Sequence, residues 1–128
     1  MALPSDLKYT DQHEWIRVDG EEGVVGITEF AQNQLGDMTF VELFDVGTEV
    51  AKGEEAAALE SCKAAASVYS PVDGEITAVN EDLQDEPALV NTNPFTTGWI
   101  FRVKIADASQ LDELMDAEAY QKLLDQQD

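Results

Sequence analysis

The sequence has little positive charge. Its 128 residues include 7 lysines and arginines against 27 aspartates and glutamates, a formal net charge of −20 at pH 7. Proteins that bind nucleic acid through its phosphates need clustered Lys and Arg. The charge balance therefore excludes nucleic acid as a partner, and it disfavours an anionic membrane surface. Soluble partners with basic faces are attracted instead.

Cysteine and histidine are also scarce. Cys62 is the only cysteine, which excludes an intrachain disulfide and suits a reducing compartment. His13 is the only histidine and lies far from Cys62 in sequence, so no zinc site is predicted.

No long apolar run or targeting segment is predicted either. The longest apolar runs fall far short of the about 20 residues that a membrane span needs. Residues 1–6 carry no basic segment, so we predict no signal or transit peptide. We expect a cytoplasmic protein, bacterial in origin, with a mature organelle protein as the alternative.

The chain does contain many short strands bounded by glycine turns. A length of 128 residues and a hydrophobic fraction of 44% predict one domain over 1–128 with a small core. The strand pattern predicts a mainly β fold, a small β-sandwich or flattened barrel. The predicted strands are 7–9, 14–18, 24–27, 38–44, 56–60, 65–69, 75–79 and 99–105.

Helices are predicted at two places around these strands. Thr28 is placed to cap a short helix over 29–35, with Gly36 as its terminating residue. A C-terminal helical segment is predicted at about 109–125.

Particular residues mark the turns and caps of the second half of the chain. Ser109 followed by Asp112 resembles a capping box, and Asp116 is placed to cap the second half of the C-terminal segment. The acidic, proline-bearing stretch 80–94 is predicted to be a long surface loop.

A single lysine stands between two strands of small residues. Lys63 lies at the centre of a predicted hairpin over about 56–69, and turns containing glycine or proline close both flanks. Such a hairpin would place its amine at the tip, accessible to a modifying enzyme. Most lysines are simply solvated surface cations, but few sit in a run of small side chains.

The chain resembles the glycine cleavage H proteins, which are lipoyl carriers, over nearly its whole length. The matching segments are 7–9 with 13–15, 25–29 with 31–32 and 35–37, 60–65 with 69–75, and 89–91 with 94–95 and 98–100. Their order and spacing make this resemblance more specific than the lysine hairpin alone, which biotinyl and lipoyl domains share. It implies the β-sandwich of the lipoyl/biotinyl-carrier type.

The resemblance implies a non-enzymatic carrier with lipoate bound to Lys63 through an amide. About ten to twelve bonds of roughly 1.5 Å give this arm a reach on the order of 15 Å. It would carry the aminomethyl group of glycine among three enzymes, and a lipoylating enzyme would attach it. The three are a pyridoxal-phosphate glycine decarboxylase, a tetrahydrofolate-dependent aminomethyltransferase and a dihydrolipoamide dehydrogenase. The reacting chemistry belongs to the cofactors of these partners.

The resemblance also assigns roles to three further residues. Glu14 would pair with the cationic amine of the loaded arm in a cleft that excludes water. Glu60, three residues before Lys63, would mark the modification site for the lipoylating enzyme. Gly74 would serve the same recognition and form a turn that helps to hold the hairpin.

The sequence departs from the family pattern at three positions. Phe30 replaces a common histidine, so an apolar wall is expected there rather than a polar contact to the arm. Ser67 stands where an acid is frequent, and Cys62 where valine is usual. Cys62 is either a small hydrophobic residue, the interpretation we favour, or a redox-sensitive thiol beside the arm.

Four other functions share the lysine hairpin or its amine. Biotinyl sites flank the lysine with methionines, whereas the neighbours here are Cys62 and Ala64; lipoyl domains of 2-oxo acid dehydrogenases usually have an Asp before it. A lipoate-relay protein of the same fold stays open. An enzyme using Lys63 as a Schiff-base amine would need a desolvated pocket, which an alanine-rich hairpin tip does not provide.

Overall fold

Two antiparallel sheets with short helices around them make up the computed structural model, which describes residues 6–127. The first four strands and the first helix are β1 (Lys8–Tyr9), β2 (Glu14–Asp19), β3 (Glu22–Ile27), α1 (Glu29–Leu35) and β4 (Met38–Leu43). The next are β5 (Glu49–Val50), β6 (Glu55–Ser61), β7 (Ala65–Tyr69), β8 (Gly74–Val79), α2 (Asp82–Asp85) and α3 (Leu89–Thr92). The last are β9 (Phe101–Ile105), a 3-10 helix (Ala108–Glu113) and α4 (Ala117–Gln127).

The sheets separate the chain into a large layer and a small one. The six-stranded sheet has the order β1-β2-β3-β9-β8-β5, and the three-stranded sheet has the order β4-β6-β7. Every pairing within them is antiparallel. The predicted mainly β sandwich is confirmed.

The main core includes side chains from both sheets. Alternate residues of a strand point to opposite faces, so each strand contributes apolar residues to the core and leaves the others outside. The core residues that are fully or almost fully buried are Ile16, Val25, Ile27, Met38, Val41, Val50, Ala56, Ala57, Leu59, Val68, Val72, Ile76, Leu83, Val90, Ile100, Phe101 and Val103.

A second, smaller core attaches α4 to the large sheet. Tyr120 of α4 stacks on Tyr9 of β1 with ring centroids 4.7 Å apart, and Trp15 is fully buried beside them. The indole N–H of Trp15 donates to the carbonyls of Ile27 and Pro94, both at 2.9 Å. Burying aromatic side chains of this size contributes strongly to stability.

The helix α1 has the predicted bounds and caps. The hydroxyl of Thr28 accepts a hydrogen bond from the backbone N–H of Ala31 at 3.3 Å. Gly36 ends the helix with φ 83°, a conformation that glycine adopts without a steric penalty.

The predicted surface loop over 80–94 is wrong. This stretch contains α2 and α3, and Leu83 and Val90 are completely buried in the main core. Each helix has only four residues, which is too short to produce a helical period in the sequence. Burial of one apolar side chain from each helix fixes them instead.

The C-terminal segment is helical, but its first cap differs from the prediction. The residues Ala108–Glu113 form a 3-10 helix capped by Asp107, whose carboxylate accepts from both the N–H and the hydroxyl of Ser109. Ser109 is therefore a donor and not the capping residue. Asp116 caps α4 as predicted, accepting from the N–H of Ala119 at 2.8 Å.

Two remaining points concern strand ends and membranes. The last strand begins at Phe101 rather than at Trp99. In the part of the chain that the structure describes, no helix is long and apolar enough to cross a membrane.

Candidate functional site

Lys63 occupies the two-residue loop of a tight hairpin. Strands β6 and β7 pair up to Glu60 and Ala65, and the N–H of Ser61 donates to the carbonyl of Ala64 at 2.8 Å. The hydroxyl of Ser61 accepts from the N–H groups of Lys63 and Ala64 at 3.3 and 3.0 Å. A Ser side chain bonded to the backbone in this way stabilises a turn. The hairpin therefore presents Cys62 and Lys63 at its tip.

The tip rests against the end of α1. The N–H of Cys62 donates to the carbonyl of Asp37 at 3.0 Å. The Cε atom of Lys63 lies 3.2 Å from the point where a Cβ on Gly36 would be. The lysine stem therefore occupies space that is open only because residue 36 is a glycine. These contacts hold the hairpin in addition to its own turn.

The amine of Lys63 is available to solvent. The residue is exposed, and no carboxylate among residues 6–127 forms an ion pair with it. An exposed amine without an ion pair is free to be approached by an acylating enzyme.

A cleft of about 720 Å³ opens near the far end of β7. Its walls come mainly from the β1–β2 connection, the segments that follow β5 and β7, and the end of the 3-10 helix with the two residues after it. The lining residues are Tyr9, Thr10, Asp11, Gln12, Glu14, Lys52, Gly53, Tyr69, Ser70, Pro71, Glu113, Leu114 and Met115.

Glu14 is the buried carboxylate of this cleft, with 2% of its surface exposed. One carboxylate oxygen accepts from the hydroxyl of Thr10 at 2.5 Å and the other from the N–H of Tyr69 at 3.2 Å. Burial raises the pKa of the Glu14 carboxyl above its ordinary value, the two hydrogen bonds oppose that shift, and nearby Asp11 adds to it. Neither donor carries a full positive charge, so a cation in the cleft would stabilise the buried carboxylate further.

His13, directly before Glu14, links the cleft segment to α1 and α4. It has a φ of 71°, and it is the only non-glycine residue with a positive φ in the described part of the chain. Its Nδ1 lies 2.7 Å from the hydroxyl of Tyr120, which is also 2.7 Å from the hydroxyl of Thr28. Histidine tolerates this left-handed conformation better than most residues, and the contacts with Tyr120 hold it there.

Two elements lead from Lys63 to Glu14. Strand β7 starts beside the tip and ends at Tyr69, whose N–H contacts Glu14; its four steps of about 3.3 Å span roughly 13 Å. Helix α1 starts where the N–H of Thr28 donates to the carbonyl of His13, and it ends at Gly36 against Lys63. An arm with a reach on the order of 15 Å is comparable in length to this strand.

The structure places Glu60 near the lysine and Gly74 far from it. Glu60 is exposed on β6, paired with Ala65 on one side and Phe40 on the other. Gly74 begins β8 in the other sheet instead of forming a turn. A Cβ there would lie 2.1 Å from the carbonyl oxygen of Lys104, so close packing on β9 explains this glycine.

The three departures from the family pattern have distinct surroundings. Phe30 packs against the ring of His13 with centroids 4.6 Å apart, and the apolar wall towards the arm stays a prediction. The hydroxyl of Ser67 donates to the carboxylate of Glu55 on the neighbouring strand. Cys62 is exposed, which does not fit a buried hydrophobic residue.

Sequence reasoning missed several contacts of the site. Ser61 carried a usable signal, because it opens the connection between the predicted strands 56–60 and 65–69 and Ser often bonds the backbone of turns. Thr10 precedes Glu14 by four residues in a non-helical segment, and this spacing predicts no contact. Gly36 was assigned only to the helix end, although it also makes room for Lys63.

No group of three or more His, Cys, Asp or Glu side chains suited to a metal ion occurs within residues 6–127. Three carboxylates line the cleft, those of Asp11, Glu14 and Glu113. Glu14 accepts hydrogen bonds from Thr10 and Tyr69, and Glu113 forms an ion pair with Lys52.

Comparisons with known proteins agree on one family. The family model "Glycine cleavage H-protein" matches residues 7–127. The glycine cleavage system H protein of Aeromonas salmonicida (strain A449) is 54% identical over 126 residues, covering 98% of each chain. That of Listeria monocytogenes serotype 4b (strain F2365) is 48% identical over 125 residues, covering 98% of this chain and 100% of the relative.

A solved structure is also similar. The crystal structure of a glycine cleavage system H protein from Mycobacterium marinum superposes with a TM-score of 0.84 and 36% sequence identity. The match covers 92% of this chain and 95% of that one.

Proposed function

Because the chain belongs to the family of glycine cleavage H proteins, we propose that Lys63 is the residue that carries its lipoyl group. Proteins of this family are non-catalytic carriers that hold lipoate on a lysine. The chain shuttles an aminomethyl group within the glycine cleavage system, whose other components are glycine decarboxylase, aminomethyltransferase and dihydrolipoamide dehydrogenase. The lipoyl group supplies the dithiolane that accepts this cargo.

The exposure of the Lys63 amine at the hairpin tip carries the proposal. The Ser61 turn fixes the backbone, the stem lies over Gly36, and no described carboxylate pairs with the amine. Two other lysines, Lys52 and Lys122, form ion pairs with Glu113 and Glu118. An acylating enzyme therefore meets a presented, unpaired amine at Lys63.

Glu14 is proposed as the residue that receives the cationic amine of the cargo. It lies in the cleft at the far end of β7, a strand of roughly 13 Å that is comparable in length to the reach of the proposed arm. Its carboxylate has two hydrogen-bond donors fixed on it, so it is already oriented before a cation arrives. Sheltering the cargo there would reduce its loss to water.

The remaining assignments are supported less directly. Glu60 is exposed near the tip, which suits a mark read by the lipoylating enzyme. Gly74 retains the predicted recognition role only through the family resemblance, since its packing on β9 already requires glycine. A cytoplasmic location is proposed from the bacterial origin of the relatives, and one domain over 1–128 stays a prediction.

The test is glycine–bicarbonate exchange catalysed by glycine decarboxylase with the carrier supplied after treatment with a lipoylating enzyme. The variant Lys63→Arg keeps the positive charge but removes the acylatable amine. We expect exchange to be abolished, because no arm can be attached.

The matched control is Lys122→Arg, at an exposed lysine of α4 that pairs with Glu118. It should support exchange within twofold of the wild type, and both variants should keep the wild-type circular dichroism spectrum. Exchange by folded Lys63→Arg at the wild-type rate would contradict the assignment.

A further inference from the structure

One aromatic side chain is left on the surface close to Lys63. Phe40 of β4 is 44% exposed. The other large hydrophobic residues that are exposed among residues 6–127 are valines, Val18 and Val46. Aromatic side chains are enriched at the centres of protein–protein interfaces, so Phe40 is a candidate interface residue.

The register of the small sheet places Phe40 beside the lipoyl hairpin. Met38 and Phe40 pair with Ser61 and Glu60 of β6, and an irregularity in the register lies between Met38 and Phe40. Met38 and Val41 are buried, whereas Phe40 is exposed. Glu60 is three residues before Lys63, so Phe40 lies on the outer face of the sheet next to the tip.

The surroundings of Phe40 are acidic. Asp37, Glu42 and Glu60 are all exposed, and none of them forms an ion pair within the described range 6–127. An apolar ring with carboxylates around it is complementary to an apolar pocket that is bordered by Lys and Arg. Complementary charges of this kind increase the association rate and fix the orientation of a complex.

We propose that the Phe40 face, defined as Phe40 with Asp37, Glu42 and Glu60, is the docking surface for the lipoylating enzyme. The inference rests on the proposed attachment at Lys63. An unmodified lysine extends only about 6 Å from its Cα, so the enzyme that acylates it must contact the surface around the tip. The other partners meet the end of an arm with a reach on the order of 15 Å and need not touch Phe40.

The experiment measures lipoylation of the full-length carrier by a purified lipoylating enzyme, followed by intact mass at several carrier concentrations. Phe40→Ala should lower kcat/KM about tenfold through an increase in KM, with kcat within twofold, because truncating a central aromatic contact weakens binding by about that factor. The matched control is Val46→Ala, a more exposed residue (60%) beyond the opposite end of β4. It should stay within twofold of the wild type.

A charge reversal tests the same face without removing an apolar side chain. Glu42→Lys should lower kcat/KM about threefold or more at low salt, and added salt should reduce the difference from the wild type. Glu21→Lys, at an exposed acid in the β2–β3 turn, should have less than half of that effect. Comparing Glu42→Lys with Glu21→Lys tests the docking surface even if Phe40→Ala folds poorly.

Several results would overturn the docking surface. For folded Phe40→Ala, these results are a kcat/KM within twofold of the wild type, or a decrease that lies only in kcat. An equal decrease of kcat/KM in Val46→Ala would also overturn it, as would equal decreases in Glu42→Lys and Glu21→Lys. Lipoylated Phe40→Ala should also support glycine–bicarbonate exchange within twofold; a larger defect would assign the face to the decarboxylase instead. Lys63→Arg separates the two proposals. Continued lipoylation of Lys63→Arg would refute the attachment site. If Lys63→Arg is not lipoylated but Phe40→Ala is lipoylated like the wild type, only the docking surface is refuted.

Discussion

At the scale of single residues, the burial of Glu14 suits the carboxylate to the cationic ligand that we propose for it. The carboxylate is almost fully buried, yet its hydrogen-bond donors, Thr10 and Tyr69, do not supply a full positive charge. Burial therefore raises its pKa, and a bound ammonium group would lower the pKa again by stabilising the charged form. The residue gains more from a cationic ligand than an exposed glutamate would.

This argument predicts the lifetime of the loaded carrier. Glu14→Gln should shorten that lifetime about tenfold at pH 7–8, because a charge-assisted hydrogen bond in a partly buried site contributes about 1.5–3 kcal/mol. Lipoylation at Lys63 should stay within twofold of the wild type. The lifetime is measured as release of formaldehyde from the isolated loaded protein.

The pH dependence gives a second readout for the same variant. Only the ionised carboxylate can pair with the cation, so the protection is complete above the pKa that Glu14 has in the empty site and is gone below the lower pKa of the paired carboxyl. Because the empty-site pKa is raised, the loss begins at a higher pH than for an ordinary glutamate. Glu113→Gln, at the exposed rim of the cleft, is the control; equal lifetimes for wild type and Glu14→Gln at every pH would remove Glu14 from the site.

At the scale of elements, the β6–β7 hairpin depends on its contact with the end of α1. Gly36 has φ 83° and ψ −164°, a region that is almost restricted to glycine. A Cβ at this position would also lie 3.2 Å from the Cε of Lys63. The end of the helix and the position of the lysine are therefore determined together.

Gly36→Ala should disturb both the end of α1 and the position of the Lys63 side chain. We expect it to lower the free energy of unfolding by about 1–3 kcal/mol and to lower the lipoylation rate severalfold, because the lysine stem must move. Chemical denaturation and intact-mass kinetics measure the two effects.

Gly20→Ala is the control, since Gly20 also has a positive φ of 66° but has nothing within 4 Å of an added Cβ. It should lower the stability by about 1–2 kcal/mol and leave the lipoylation rate unchanged. Equal rates for the two variants, both folded, would show that the contact between Gly36 and Lys63 has no influence on modification.

The elements also show what the sequence can and cannot predict. Helix α1 was predictable because Thr28 and Gly36 are specific start and end signals, and β7 was predictable because small apolar residues lie between a turn and a proline. The helices α2 and α3 were not, since their four-residue lengths give no period and only the burial of Leu83 and Val90 defines them.

The site was predictable to a similar, partial extent. Lys63 stood out by its small neighbours and by the family resemblance. The hydrogen bonds from Thr10 and Tyr69 to Glu14 join the β1–β2 connection to β7, 55 residues further along the chain in the case of Tyr69. Such contacts depend on the packing of the two sheets, which no local pattern encodes.

At the scale of the whole molecule, the excess of negative charge is the dominant feature. The net charge is −20, and ion pairs in the described part of the chain involve only Lys52, Arg102 and Lys122. Most carboxylates therefore repel one another without a local partner, which destabilises the compact state.

Added salt should consequently stabilise the protein. Between about 20 and 500 mM NaCl, screening of the repulsion should raise the melting temperature by several degrees, since roughly 1 kcal/mol corresponds to about 4 °C for a domain of this size. The increase should be smaller close to pH 4, where the net charge approaches zero at a pI of about 4.1. A melting temperature that is independent of salt at pH 7 would contradict this account.

In the proposed function, the carrier activity depends on one covalent bond at the tip of the hairpin. Peptide mass mapping of the wild-type protein after treatment with a lipoylating enzyme measures where the lipoyl group is attached. We predict one lipoyl increment on the peptide that contains Lys63 and none on the peptides that contain the other four lysines. A lipoyl group on a different lysine, or an unmodified Lys63 after complete treatment, would contradict the account.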